Sequence, residues 1–419
     1  MLSPDTGTVN PRANGPKSRP ATPARGKATR MKHTPPLSAR LFALLGVVWF
    51  VLLAAIARGQ ELRGTWLTTT ANDAIATPEK TAATMRKLKA IGINTVYVEC
   101  WKNGYTQYPS PALKRTIGLD RRPNLVPASG GPPRDLVRET LDAAHANDLK
   151  YIAWFEYGFM AAFKETDNEL RRTRKHWLSL DQSGNEVAPN GFVWMNPLHP
   201  EVQQFLIDIV LDCVDHYDVD GIQFDDRIVW PYVTMGYDEF TRNAYAAEHD
   251  GRQPPVDPKD PAWMKWRSDK VREFSRRLVT EVRARHPELV LSLSPAPFPW
   301  CYDHYLLDWP EWAFWTTDST GSPRWDEFIP QCYRLNYDAF AKTWLEQVEA
   351  VRTRDPARVK DLVAGIRVVG DGPNSTWDDL RRTIELSRKS GAKGHVLWYS
   401  KGVLDLYPDQ LTAFYAESP

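Results

Sequence analysis

The strongest constraint on this chain is an alternation. From Glu61 onward, short runs rich in β-branched and aromatic residues are separated by longer stretches of helical period. Eight such runs can be read, at 63–68, 94–99, 150–156, 219–224, 290–294, 328–333, 362–366 and 394–399. The segment after the first run opens with Thr77 as N-cap and Pro78 in the first turn, and Gly92 closes it. Eight strands, mostly separated by helices, predict an α/β fold. The expectation is a single (β/α)8 TIM barrel with long βα loops over residues 61–419. A doubly wound sheet is the alternative. It would want a glycine-rich nucleotide loop after the first strand, and Thr68-Thr69-Thr70-Ala71-Asn72-Asp73 is not one. Pro330 sits oddly inside the sixth run, because proline cannot donate to a ladder.

In such a barrel, chemistry collects at the C-terminal ends of the strands. The fourth run ends in Asp225-Asp226-Arg227, the second in Glu99 and the third in Glu156. The sixth offers Gln331, Tyr333 and Arg334. Long loops after the second, third and fourth runs supply cleft walls. Ionised aspartates are seldom buried without a partner. Two carboxyls flanking a bond are what glycoside hydrolysis needs, one protonated and one ionised. Crowded carboxyls raise one another's pKa. Glu156, behind Trp154-Phe155 in an apolar strand, is expected to have a raised pKa and to act as the acid. Asp225 or Asp226 is expected as nucleophile or base. Strand alternation sends the two to opposite sides, and Asp225, as the last strand position, is expected to face the cleft. The bland alternatives are pairing with Arg227, capping, or calcium for the aspartates, and a barrel arginine for Glu156.

The chain holds 17 Trp, 16 Tyr and 15 Phe. Indole faces stack on the C–H faces of sugars, and Trp66, Trp101, Trp230, Trp300 and Trp398 fall at strand ends; the other reading is a large aromatic core. The expected substrate-binding residues are Trp66, Trp101, Tyr105, Trp154, Asn196, His199, Arg227, Trp230, Gln331, Tyr333 and Trp398. His199, before Pro200 at a helix start, reads equally as a structural hydrogen-bonder. Four widely spaced cysteines form no CxxC pair, and small buried hydrophobes are the expected reading, with one bridge as the alternative. No metal and no cofactor is expected. No Gly-x-Ser-x-Gly, His-Glu-x-x-His or P-loop pattern occurs.

Residues 1–36 are rich in Pro, Gly, Thr, Lys and Arg, the composition of a disordered basic segment. Leu41 to Ala57 then runs apolar without a charge, ending in the small-x-small triplet Ala55-Ile56-Ala57. Residues 37–60 are therefore expected to be a signal peptide or an N-terminal membrane anchor, with export in either case. A cleaved leader implies a periplasmic or extracellular protein, an uncleaved one membrane association. Residues 1–57 carry eight Lys/Arg and one acid. Of 53 basic and 52 acidic residues the remainder keeps 45 and 51, a net of −6. An acidic body lacks the basic footprint of a nucleic-acid binder.

Several stretches carry a resemblance. Asn103-Gly104-Tyr105-Thr106-Gln107-Tyr108-Pro109-Ser110, Ala153-Trp154-Phe155-Glu156-Tyr157-Gly158-Phe159 and Trp194-Met195-Asn196-Pro197-Leu198-His199-Pro200 are three of them. Asp218-Val219-Asp220-Gly221-Ile222-Gln223-Phe224-Asp225-Asp226, Ser292-Leu293-Ser294-Pro295 and Pro330-Gln331-Cys332-Tyr333-Arg334 follow in order. Together they resemble the glycosyl-hydrolase-like family 10, distinct from the family-10 xylanases. The resemblance implies an exported glycosidase-like barrel acting on a polysaccharide. Some relatives act on bacterial cell-wall glycan strands. Asp225, Asp226, Glu156 and Gln331 fall on motif positions. Glu99 stands where an apolar residue is expected, which argues against a catalytic role. A barrel that binds carbohydrate without cleaving it, or an anchored envelope protein, are the rival readings.

Overall fold

The structure is a computed structural model that describes residues 60–126, 131–312 and 324–417. The expectations for the basic segment and the leader fall outside the described residues. Among those described, no helix is long and apolar enough to cross a membrane.

Eight parallel strands form the expected barrel. They are β1 (Leu62–Leu67), β2 (Thr95–Glu99), β3 (Lys150–Phe155) and β4 (Gly221–Phe224), then β5 (Val290–Leu293), β6 (Glu327–Phe328), β7 (Val363–Arg367) and β8 (Gly394–Trp398). The sheet order is β6-β5-β4-β3-β2-β1-β8-β7. Single parallel bridges, Phe328 to Leu362 and Gln331 to Gly365, join β6 to β7 and close the ring. Local chemistry sets the connecting helices. The Thr77 side chain accepts from Lys80 N, and Gly92 ends the Pro78–Ile91 helix with φ 101°, a left-handed angle that glycine adopts without strain.

The sixth strand departs from expectation. Residues 328–333 were expected to be extended throughout, but β6 stops at Phe328. Pro330 has no N–H to give, so the ladder breaks and resumes only at Gln331. Instead Pro330 accepts from Gly365 N at 3.2 Å. A Cβ at Gly365 would lie 2.6 Å from that carbonyl oxygen. Gly365→Ala is therefore expected to open the closing seam at a cost of about 1–3 kcal/mol, read as a lower urea midpoint with an unchanged slope. An unchanged midpoint would show that the seam yields freely.

The barrel interior is layered. Near its base the Tyr97 hydroxyl donates to Glu327 Oε1 at 2.8 Å, and Lys393 Nζ reaches Glu327 Oε2 at 2.8 Å. Higher up, Trp66 Nε1 donates to Gln223 Oε1 at 2.7 Å and Gln223 Nε2 donates to Ser292 Oγ at 2.9 Å. The rings of Trp66, Trp154, Trp398 and Tyr333 meet above this layer at centroid distances of 5.6–6.5 Å. Loops wall the mouth. One hairpin pairs Trp101–Lys102 with Tyr105–Thr106, a second pairs Met160–Phe163 with Phe192–Trp194. The insertion after β4 is held by Arg267 of the Pro261–Arg285 helix, which donates to Val233 O and Met235 O and stacks on Trp263.

At the barrel base, Glu61 accepts from Arg388 and Arg63 and lies 3.5 Å from His395 Nδ1. His395 Nε2 meets the Tyr415 hydroxyl, tying the Pro408–Ala416 helix to β8. Burial lowers the His395 pKa below its ordinary 6.5. Burial opposes ionisation of Glu61, yet His395, Arg388 and Arg63 hold its carboxyl far below 4.5. Both folded-state pKa values lie below the unfolded ones, so both groups stabilise above those values and lose that contribution as pH falls. Thermal melting temperature is expected to begin falling as pH drops through 6.5 and to fall further below 4.5. His395→Gln should remove the upper step, and its persistence in that variant would place the titration elsewhere.

Candidate active site

The expected cluster at the mouth of the barrel is present, and Arg227 organises it. β4 ends at Phe224, so Asp225 is the first loop residue rather than the last strand position expected. Its side chain is nearly closed from solvent. Asp225 Oδ2 accepts from Arg227 at 2.7 Å, and Oδ1 accepts from Asp226 N at 2.8 Å and from Gln331 Nε2. Gln331 Nε2 also donates to Ser294 O at 3.0 Å. Gln331 thus orients Asp225. Burial and the neighbouring Asp226 raise the Asp225 pKa well above the usual carboxylate range, with Arg227 opposing them. Asp226 is more open, its side chain 28% exposed. Its Oδ1 has no hydrogen-bond partner among the described residues, and the Arg227 guanidinium is 3.4 Å away.

Glu156 follows β3 and completes the triad of acids. Arg227 donates to its main-chain oxygen at 3.2 Å and lies 3.7 Å from Oε1. Lys102 Nζ lies 2.9 Å from Oε2. The raised pKa expected for Glu156 is not what the structure gives. Burial raises it, but Lys102 and Arg227 outweigh burial and a hydrogen bond with Glu99 adds to them, so its pKa is lowered. The raised carboxyl of this pair is Glu99. Burial and the charge of Glu156 push Glu99 up to about 7, against Lys102 and Thr69. Glu99 is fully buried, accepting from Lys102 at 2.8 Å, Thr69 N at 3.2 Å and Thr69 Oγ1.

Lys102 is what sequence reasoning missed, and Glu99, read at the end of the second run, was discounted. The Glu in place of an apolar residue was itself the signal, since a buried carboxyl requires a partner. Lys102 gave a weaker one, as a lone lysine in the aromatic turn after β2.

The expected binding residues separate into groups. Trp66 and Trp154 are closed inside the barrel, with Tyr333 and Trp398 above them, half-buried and stacked at 5.6 Å. Four expectations fail on burial, those for Trp66 and Trp154 inside the barrel and for two indoles in the loops. Trp101 donates to Gly158 O and packs on Phe205, and Trp230 donates to Met235 O beside Trp263, so both indoles are scaffold. Tyr105 is half-buried, its hydroxyl bonded to Glu169. Asn196 is likewise structural: buried, it donates to Asp238 Oδ1 at 3.0 Å and Thr241 Oγ1 at 2.7 Å. His199 caps the Pro200–Val214 helix and lines a separate groove with His176, Asp238 and Phe240. Among the described residues no His/Cys/Asp/Glu group fits a metal ion, and Cys100, Cys213, Cys301 and Cys332 are free and buried.

A (β/α)8 barrel with carboxyls gathered at the C-terminal ends of β2, β3 and β4 defines a glycosidase-like protein. The chain belongs to the family described as Glycosyl hydrolase-like 10, which it matches over residues 61–369. It is 24% identical to the glycosyl hydrolase DigH of Escherichia coli over 337 residues, 70% of this chain and 72% of that one. It is 22% identical to the glycosyl hydrolase YngK of Bacillus subtilis over 262 residues, 56% of this chain and 45% of that one. In fold it resembles the PgaB (BpsB) glycoside hydrolase domain of Bordetella bronchiseptica, with a TM-score of 0.62 at 15% identity, covering 85% of this chain and 98% of that one.

Proposed function

We propose that this protein is an exported glycoside hydrolase that cleaves O-glycosidic bonds in a polysaccharide, with peptidoglycan glycan strands as the first candidate. The observation that carries the reading is the division of the acids around two cations. Asp226 has a partly exposed side chain, and Glu156, on the same Arg227 nitrogen, has Lys102 and Glu99 behind it.

Asp226 acts at the anomeric carbon, as nucleophile or as base for the attacking water. Glu156 gives a proton to the departing glycosidic oxygen as the C–O bond breaks. Its pKa is too low for it to keep that proton alone at neutral pH, and here Glu99 enters. The two carboxyls share one proton, held mainly on Glu99, and it passes to Glu156 as Glu156 protonates the leaving group. Asp225 and Gln331 position Asp226 and Arg227. The oxygens of Asp226 and Glu156 are 3.4 and 3.7 Å from one Arg227 nitrogen, hence at most ~7.1 Å apart, a bound that takes in the ~5–5.5 Å spacing of retaining enzymes and the lower edge of the ~6.5–9.5 Å spacing of inverting ones. NMR of the first-formed anomer separates a nucleophilic Asp226, which retains, from a basic one, which inverts.

Export rests on the basic, then apolar, residues 1–57. The deciding experiment is incubation with a panel of polysaccharides that includes peptidoglycan freed of its stem peptides, with products read by mass spectrometry. Products cut at glycosidic bonds by the native chain, and lost in Glu156→Gln, support the reading. Tight binding without cleavage of any polymer overturns it in favour of a binding barrel.

A further inference from the structure

We propose that an aromatic ridge built by the loops after β3, β4 and β5 is a subsite for sugar rings of a glycan chain away from the cleaved bond, so that the substrate is a polymer rather than a short oligosaccharide. The inference rests on the carbohydrate reading of the site and extends it. The ridge begins at the acid cluster. The Arg227 guanidinium lies 6.0 Å from the Phe192 ring. Phe192 and Tyr305, both half-buried, each pack at 6.2 Å on Trp194, which is itself buried and serves as the footing between them. Tyr305 then contacts Tyr232 at 5.4 Å and Trp300 at 5.6 Å. Burial and the charge of Asp226 raise the Tyr305 pKa, with Asn190 and Arg227 opposing them.

The ridge is fixed before any ligand arrives. Trp230 N donates to Tyr305 O at 3.1 Å, and Val233 N to His304 O at 2.7 Å, binding the loop after β4 to the Trp300–Tyr305 helix. Asn190 Nδ2 donates to the Tyr305 hydroxyl at 2.9 Å. Preorganised rings lose little entropy on binding. Trp300 ends the track. It is 48% exposed, the one exposed tryptophan among the described residues, and it stacks on His304 at 4.5 Å.

The chemistry selects the occupant. A large flat apolar surface left in water, with a hydroxyl, an imidazole and the exposed Asp303 alongside, matches a pyranose ring with its apolar C–H face and hydroxyl rim. The exposed Trp300 and the half-buried Tyr305, Tyr232 and Phe192, with Trp194 buried beneath, match a chain of such rings whose next unit reaches the carboxyls.

The test compares chain lengths. Full-length protein carrying Asp226→Asn, so that turnover does not consume ligand, is titrated calorimetrically with three pairs of probes, one short and one long in each. These are the dimer and hexamer of N-acetylglucosamine, their deacetylated counterparts, and peptidoglycan strands freed of peptides alongside their disaccharide. For at least one chemistry the long probe is expected to bind more tightly than the short one. Trp300→Ala should lower long-probe affinity about tenfold, Trp300→Phe should keep most of it, and short-probe affinity should not change. Absence of any length dependence, or long-probe affinity unchanged in Trp300→Ala, overturns the subsite. A Trp300-dependent polymer that the native chain binds but never cleaves sinks the hydrolase reading and leaves the subsite standing. Unchanged short-probe affinity shows that the variant is folded.

Discussion

Asp226→Asn is expected to lower kcat/KM by about 10²–10⁴ on whichever polysaccharide the native chain cleaves, the range for removing a positioned acid–base group. Asp225→Asn is expected to cost less. The two side chains sit in different surroundings. Asp225 is held on both oxygens, with Arg227, Gln331 and Asp226 N all donating to it. Its side chain is only 7% exposed, so the acceptor site left on Oδ2 is closed to a substrate. The Asp226 side chain is 28% exposed, with only its Oδ1 turned inward, buried 3.4 Å from Arg227 without a hydrogen bond. Asparagine at 226 keeps the shape and loses the negative charge that attack on an anomeric carbon requires. Two readouts separate chemistry from structure. Melting temperature should stay near native, because only an ion pair at 3.4 Å is disturbed. If Asp226 is the nucleophile, Asp226→Ala with added azide should recover turnover and release a glycosyl azide, the azide forming the bond that the carboxylate no longer makes. Near-native turnover in Asp226→Asn, with Asp225→Asn inactive, would reverse the assignment.

What the sequence disclosed, and what it withheld, follows from the kind of signal each feature leaves. The barrel was legible because strand and helix leave different periods, repeated eight times. Helix starts were legible where a side chain caps locally, as Thr77 does for Lys80 N. Asp225, Asp226, Arg227, Glu156 and Gln331 were legible because they cluster at strand ends, and the fold brings them together. The roles within the cluster were not. A strand end says that Glu156 is buried, but not that Lys102, three residues past β2, stands 2.9 Å from it. The pKa direction turned on that one contact. The tryptophans misled for a related reason. An indole at a strand end can point along the barrel, as Trp66 does to Gln223, or into a loop core, as Trp230 does to Met235. Trp300, read as one of five strand-end candidates, belongs to a ridge that only the packing of two distant loops creates.

Lys102→Met carries the sharpest test of the shared proton. Lys102 Nζ stands 2.8 Å from Glu99 and 2.9 Å from Glu156, and both carboxyls favour its charged form, raising its pKa although burial opposes this. The groups facing the pair are Lys102, Arg227, Thr69 and the Tyr157 ring. Methionine keeps the length of the side chain and removes the cation. The proton of the pair is then bound more tightly, because desolvation still penalises the charged carboxyls and one of two compensating charges is gone. In the native enzyme, activity is expected to fall as pH rises through about 7, where Glu99 gives up the shared proton. In Lys102→Met that alkaline limb should move up by about one unit or more, while kcat falls because Glu156 releases its proton less readily. The stability deficit of the variant should grow with pH. Folded-state pKa values raised above the unfolded 4.5 give stability that is present at low pH and lost as pH rises. The variant should therefore approach native melting temperature near pH 5 and fall behind it at pH 8, by the equivalent of about 3–5 kcal/mol if one carboxylate is left buried and unpaired. Glu99→Gln supplies the matching control: it can donate a hydrogen bond to Glu156 but has no proton to give, so the alkaline limb should move down. A Lys102→Met profile whose alkaline limb stays at its native position would mean that Glu99 and Glu156 do not share the catalytic proton, and that Lys102 only packs the wall of the cleft.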